Sequence, residues 1–196
     1  MTVFRRTTAV AALLLLGALP ARAETTALPS TLADSASAMI DPKAPCAGPD
    51  YRQLDFWIGD WRVLDGKSGK TVAHDRIRAI HGHCVIREDL RFTGALYRRP
   101  GTPFALAGLS INRFDGQQWL QMWADNQWGA ILFKGARRAD GAFQFDTVIP
   151  SRGRDVRLVW HTEPDGLRME QYGAKAGSGV WERYEDLVYR RERPHR

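Results

Sequence analysis

From Asp60 onward, turn-forming residues recur about every 10–14 residues, the spacing of an antiparallel meander. The signals are Asp65-Gly66, His81-Gly82, Asp115-Gly116, 126–129, Asp140-Gly141, Gly153, Asp165-Gly166 and 177–179. The segments between them are 61–64, 71–80, 83–92, 104–114, 117–126, 130–137, 143–149, 155–162, 167–173 and 180–190. Several alternate with period two. Phe143, Phe145, Thr147 and Ile149 share one face against Gln144 and Asp146, and Val156, Leu158 and Trp160 oppose Asp155, Arg157 and His161. Such alternation puts one face in a core and the other in water. About ten strands joined by hairpin-length links predict an all-β chain, an antiparallel up-and-down β-barrel in preference to a sandwich. Ahead of them, Tyr51, Leu54, Trp57 and Ile58 fall at helical spacing, with Asp50 to cap a short helix and Gly59 to end it.

The chain before these strands reads differently. Arg5 and Arg6 precede an apolar run over 9–19, and Ala21-Arg22-Ala23 has the A-x-A form of a cleavage site, so residues 1–23 are expected to be a secretory signal peptide. Residues 24–45 are rich in Ala, Ser, Thr and Pro without a sustained period, as a flexible linker would be. The barrel is expected over 46–196, in a periplasmic or secreted protein. The two cysteines, Cys46 and Cys84, are an even count in an oxidising compartment and predict a disulfide. No internal apolar run reaches the length of a membrane span, so no membrane insertion is expected.

Charge excludes one class of partner. The formal net charge is +6, and removing Arg5, Arg6 and Arg22 with the leader lowers it to +3. The remaining bases are interleaved with acids, as in Arg87-Glu88-Asp89 and Arg183-Tyr184-Glu185-Asp186. A nucleic-acid surface gathers its charge into a stripe instead. The 20 aromatic residues (7 Trp, 5 Tyr, 8 Phe) are ample for a core and for the wall of a pocket.

Two strands carry the candidate site. Cys84, Ile86, Glu88, Leu90 and Phe92 share a face that is apolar except for Glu88, so this carboxyl points inward and must find a partner or stay protonated. Trp119, Gln121, Trp123 and Asp125 share a face of another strand, aromatic rings with polar anchors between them. Glu88, Trp119, Gln121, Trp123 and Asp125 are therefore the predicted ligand-binding residues, for a small apolar or amphipathic molecule. A filled barrel that serves as a structural module remains the alternative. So does an enzyme with Glu88 as general acid or base, with Asp125 or Glu170 as trial partner.

No cofactor is expected. His81 and His83 flank Gly82 in a turn and His74 lies on the preceding strand, without a third ligand at metal-site spacing. His161 is the candidate for a haem ligand, but alternation turns it outward, opposite Trp160. Serine-hydrolase elbows, Walker loops and dinucleotide-binding glycine patterns are all missing.

Gly59-Asp60-Trp61 resembles the G-x-W signature that opens the first strand of lipocalin-like (calycin) barrels. More widely, Cys46, the run from Tyr51 to Trp61, Gly82 to Cys84, Glu88 and Trp119-x-Gln121-x-Trp123-x-Asp125 together resemble a family of secreted bacterial proteins of unknown function with such a barrel. His81-Gly82-His83 departs from its pattern. The resemblance covers roughly 46–190 and implies a fold without an activity, so it carries over no catalytic residue. It also implies an arginine of the last strand, Arg190 or Arg191, laid across Trp61 to close one barrel end.

Overall fold

The computed structural model describes residues 46–192; the expected signal peptide and linker lie outside the described residues. Ten strands follow one another: β1 (Gly59–Asp65), β2 (Thr71–Ile80), β3 (Val85–Phe92), β4 (Ala107–Phe114), β5 (Trp119–Asp125), β6 (Gly129–Arg137), β7 (Phe143–Thr147), β8 (Arg154–Glu163), β9 (Gly166–Lys175) and β10 (Glu182–Arg191). Each pairs antiparallel with its neighbours in sequence, and β1 pairs with β10, which closes the barrel and leaves no free edge. The expected all-β antiparallel barrel is the fold. Phe143 and Phe145 are buried on β7, and Val156 and Trp160 on β8, as the alternation implies; Ile149, expected on the same face, lies beyond the end of β7 and is exposed, and Val159 on the other face of β8 is buried too.

The expected short helix is present as two 3₁₀ segments, Pro49–Arg52 and Asp55–Trp57, which plug one end of the barrel. Gly48 takes the N-cap position rather than Asp50, and Leu54 interrupts the run with φ −101° and ψ 8°. The barrel supplies the reason. Trp119 Nε1 donates to the Asp50 carbonyl (3.2 Å), Arg137 Nη2 to that of Gln53 (2.8 Å) and Trp61 Nε1 to that of Trp57 (2.8 Å). Carbonyls engaged by side chains from the barrel have no need of an α-helical ladder. Tyr51, Leu54 and Trp57 point into the barrel, where Trp57 meets Trp160 at 5.0 Å between ring centroids.

A disulfide, Cys46–Cys84, ties the start of the plug to the β2–β3 turn. Around it, Arg52 Nη2 donates to the carbonyls of Cys46 (2.8 Å) and His83 (3.3 Å), and His83 Nε2 lies 2.7 Å from Asp55 Oδ1. His81 and His83 both hold positive φ, 51° and 70°, in the turn that carries Gly82. Beside the plug, Arg191 lies over the Trp61 ring, 4.5 Å from its centroid and opposite it in register. Arg190 faces the other way and pairs with Glu163 at 3.1 Å. Of the two arginines expected at this position, Arg191 covers Trp61 and Arg190 does not, because neighbours on a strand point to opposite faces. Gly59 makes room: a Cβ there would come within 2.6 Å of Arg191 Nη1. No helix among the described residues is long and apolar enough to cross a membrane.

Candidate functional site

The barrel is filled at the plug end and hollow at the other. Trp57, Trp61 and Trp119 are sealed from solvent at the filled end. Beyond them is a cavity of about 510 Å³, walled by Leu90, Phe92, Phe133, Leu158, Met169 and Leu187 among others, with Trp123 and Trp160 on its sides. At its mouth stand Trp128, Arg152, Arg154 and Tyr184, all exposed. The guanidinium groups of Arg99 and Arg152 both lie over the Trp128 ring, 5.6 and 5.5 Å from its centroid. Tyr97 stacks on Phe92 (3.8 Å, 25°) and donates its hydroxyl to Glu185 Oε1 at 2.8 Å.

Of the predicted residues, Glu88, Gln121, Trp123 and Asp125 line this cavity and Trp119 does not. Trp119 lies at the filled end, packed on Phe114. Period-two alternation identifies a face but not a depth, and each pair of residues advances a strand by about 6.7 Å. Strand β5 runs from the plug towards the mouth, so its first and last inward residues meet different surroundings. Asp125 is engaged locally: Oδ2 accepts from Trp123 Nε1 (2.8 Å) and Oδ1 from the backbone N–H groups of Gln127 (2.7 Å) and Trp128. It holds the indole against the wall and shapes the β5–β6 turn.

Glu88 is 4% exposed and belongs to a polar patch that sequence reasoning reveals only in part. Ser110 Oγ donates to Glu88 Oε2 at 2.5 Å. Asn112 Nδ2 donates to Ser110 Oγ (2.8 Å) and to the Ile86 carbonyl (3.1 Å), and Gln121 Nε2 donates to Ser110 Oγ (3.3 Å). The acid hydrogen-bonded to Glu88 is Asp75, 3% exposed, and not the trial partners Asp125 or Glu170. Glu170 lies on the outer face, bonded to Arg183 and to the Tyr172 hydroxyl (2.9 Å). Asp75 is legible in principle. It sits between Ala73 and Ile77 on one face of β2, while His74, Arg76 and Arg78 occupy the other. Ser110 and Asn112 likewise share a face with Phe114.

Burial sets the protonation of this patch. Desolvation, then the charge of Glu88, pushes the Asp75 carboxyl well above the ordinary range. Desolvation also pushes Glu88 up to about 7, against the hydrogen bond from Ser110. Burial raises Glu185 near the mouth, with the Tyr97 hydroxyl opposing the shift. Tyr189, fully buried and lining the cavity, is raised by burial and then by Asp75 and Glu88. Asp75 and Glu88 are hydrogen-bonded to each other, and several other buried atoms here have no partner among the described residues: Asn112 Oδ1, Gln121 Oε1 and Trp160 Nε1.

The histidines lie elsewhere. His74 bonds to Glu192 on the surface, His83 pairs with Asp55 beside the plug, and His161 faces outward, 3.5 Å from Glu170. Among the described residues no group of three or more His, Cys, Asp or Glu stands close enough to hold a metal ion. No protein-family model matches the chain, and no curated protein matches it either.

Proposed function

We propose that the protein binds a small, mostly apolar molecule inside the mouth half of its barrel, as an exported member of the secreted lipocalin-like family that its motifs resemble. One observation carries the reading: a cavity of about 510 Å³ whose walls are apolar apart from a few polar side chains, Glu88, Gln121 and Asp125 among them. The volume suits a ligand of modest size. The disulfide is of the kind that forms in oxidising compartments and supports export.

Two measurements test it. Native mass spectrometry of protein purified from an oxidising compartment, followed by solvent extraction, is expected to show an added mass that solvent releases. Titration with the neutral fluorophore N-phenyl-1-naphthylamine is expected to saturate at one site, with weaker binding in Trp123→Ala. Unchanged affinity in that variant would remove the cavity assignment.

A second reading, proton transfer to a bound ligand by Glu88, is favoured by the Asp75–Glu88 pair, since coupled buried carboxyls suit acid–base work. Ligand recovered after incubation with the protein in D2O would then carry carbon-bound deuterium. Ligand free of it would dispose of this reading.

A further inference from the structure

The hydrogen bonds of the polar patch all run in one direction. Ser110 has a single hydroxyl proton and gives it to Glu88. Its oxygen is then an acceptor only, and both neighbouring amides, Asn112 and Gln121, turn their N–H groups towards it. This orientation leaves their carbonyl oxygens, Asn112 Oδ1 and Gln121 Oε1, without donors. Asp75, held well above the ordinary range, keeps its proton and donates it to Glu88. The unmet demand of the patch is therefore for donors. Among the solvent-sealed, unpartnered atoms of the side chains that line the cavity, Trp160 Nε1 is the donor and Gln121 Oε1 the acceptor.

The charge inventory points the same way. Glu88, Asp125 and Glu185 line the cavity and Asp75 adjoins Glu88. The described cations in the lining are Arg152 and Arg154, both exposed at the mouth, where solvent screens them. Arg152 is further occupied by the Trp128 ring and its carbonyl. Among the described residues no lysine or arginine is buried, so none neutralises Glu88 from within.

We infer that the ligand carries a donor-rich cationic head, a primary ammonium, that enters first and seats between Glu88 and Gln121, with its apolar body against Trp123, Leu158 and Met169. An ammonium offers three donors and no acceptor. It matches a patch of acceptors, brings the counter-charge the barrel lacks, and its approach to the faces of Trp160 and Tyr189 is attractive in itself. An alcohol offers one donor, and a carboxylate offers none and adds like charge beside Glu88.

The inference rests on the cavity being a binding site, so its test separates the two. Octylamine, 1-octanol and octanoate share one apolar body and differ in the head. Each is titrated as a competitor of N-phenyl-1-naphthylamine on the unaltered protein and on Glu88→Gln. Octylamine is expected to displace the fluorophore at least about tenfold more tightly than either competitor, and Glu88→Gln to bring it level with octanol. Displacement led by octanol or octanoate, or by none of the three, overturns the ammonium head and leaves the cavity reading standing. A fluorophore that does not bind at all removes the cavity reading itself. The ranking on the unaltered protein holds whether or not the variant folds, and an amine preference that survives in a folded Glu88→Gln overturns the assignment to Glu88.

Discussion

Asp75 and Glu88 are diagonal neighbours on adjacent strands: Asp75 pairs with Leu90 and Glu88 with Ile77, and both carboxyls turn into the barrel. Two acids this close in a dry interior cannot both ionise without cost, so the pair holds protons that the unfolded chain would release.

The sign of the resulting pH dependence follows. Glu88 goes from an ordinary value of 4.5 in the unfolded chain to about 7 in the folded one. Between these limits the folded protein binds more protons than the unfolded chain, so this contribution is complete below the lower value and is lost as pH rises through the upper one. Asp75 acts in the same direction. The contribution of Glu88 is on the order of a few kcal/mol, since each tenfold gain in proton affinity is worth about 1.4 kcal/mol. Urea unfolding of the native protein and of Glu88→Gln at about pH 5 and about pH 8 should show the variant gaining relative stability at the higher pH. A difference between the two proteins that does not change with pH would count against the buried acid.

Gly108 on β4 sets the position of Trp123. A Cβ there would come within 2.3 Å of Trp123 Cζ2 and 2.9 Å of the Ala124 carbonyl oxygen. Gly108→Ala should push the indole into the cavity, cost about 1–3 kcal/mol through overpacking and weaken fluorophore binding by about tenfold or more. Equal affinity in the variant would show that Trp123 has somewhere else to go.

The last strand offers a comparison between adjacent residues. Arg191 covers Trp61, whereas Arg190 makes a partly exposed ion pair with Glu163. Arg191→Ala should lower stability by about 1–2 kcal/mol and Arg190→Ala by under about 1. Chemical denaturation of both variants decides it, and a larger loss at Arg190 would reverse the assignment of the closing residue.

The Cys46–Cys84 bond clamps the plug to the barrel. Replacing both cysteines with serine should cost up to about 4 kcal/mol in the chain-entropy model. It should also speed amide exchange in Pro49–Trp57 more than in β7 and β8. Uniform acceleration across the molecule would mean that the bond stabilises the whole barrel rather than its plug.

Much of the barrel is local information, legible from residues alone. The β2 segment has the same bounds, 71–80, in the sequence pattern and in the structure, because turn formers and period-two alternation act over a few residues. The Gly82 turn, the inward Glu88 and the outward His161 follow from the same local rule. The short helix is legible from the apolar spacing at 51, 54, 57 and 58, but its 3₁₀ form is not, because Trp61, Trp119 and Arg137 capture its carbonyls from the strands.

The sequence by itself determined the strands, their facing, the disulfide partners and one of the buried acids, since each depends on neighbours along the chain or on a simple count. Tertiary structure alone decided that Trp119 seals the filled end while Trp123 faces a cavity, that Arg191 rather than Arg190 covers Trp61, and that Asp75 is the partner of Glu88. These are matters of depth along the barrel and of register between strands. A register slip of a single residue reverses the face of every side chain on a strand, and only the closed ring of ten pairings excludes it.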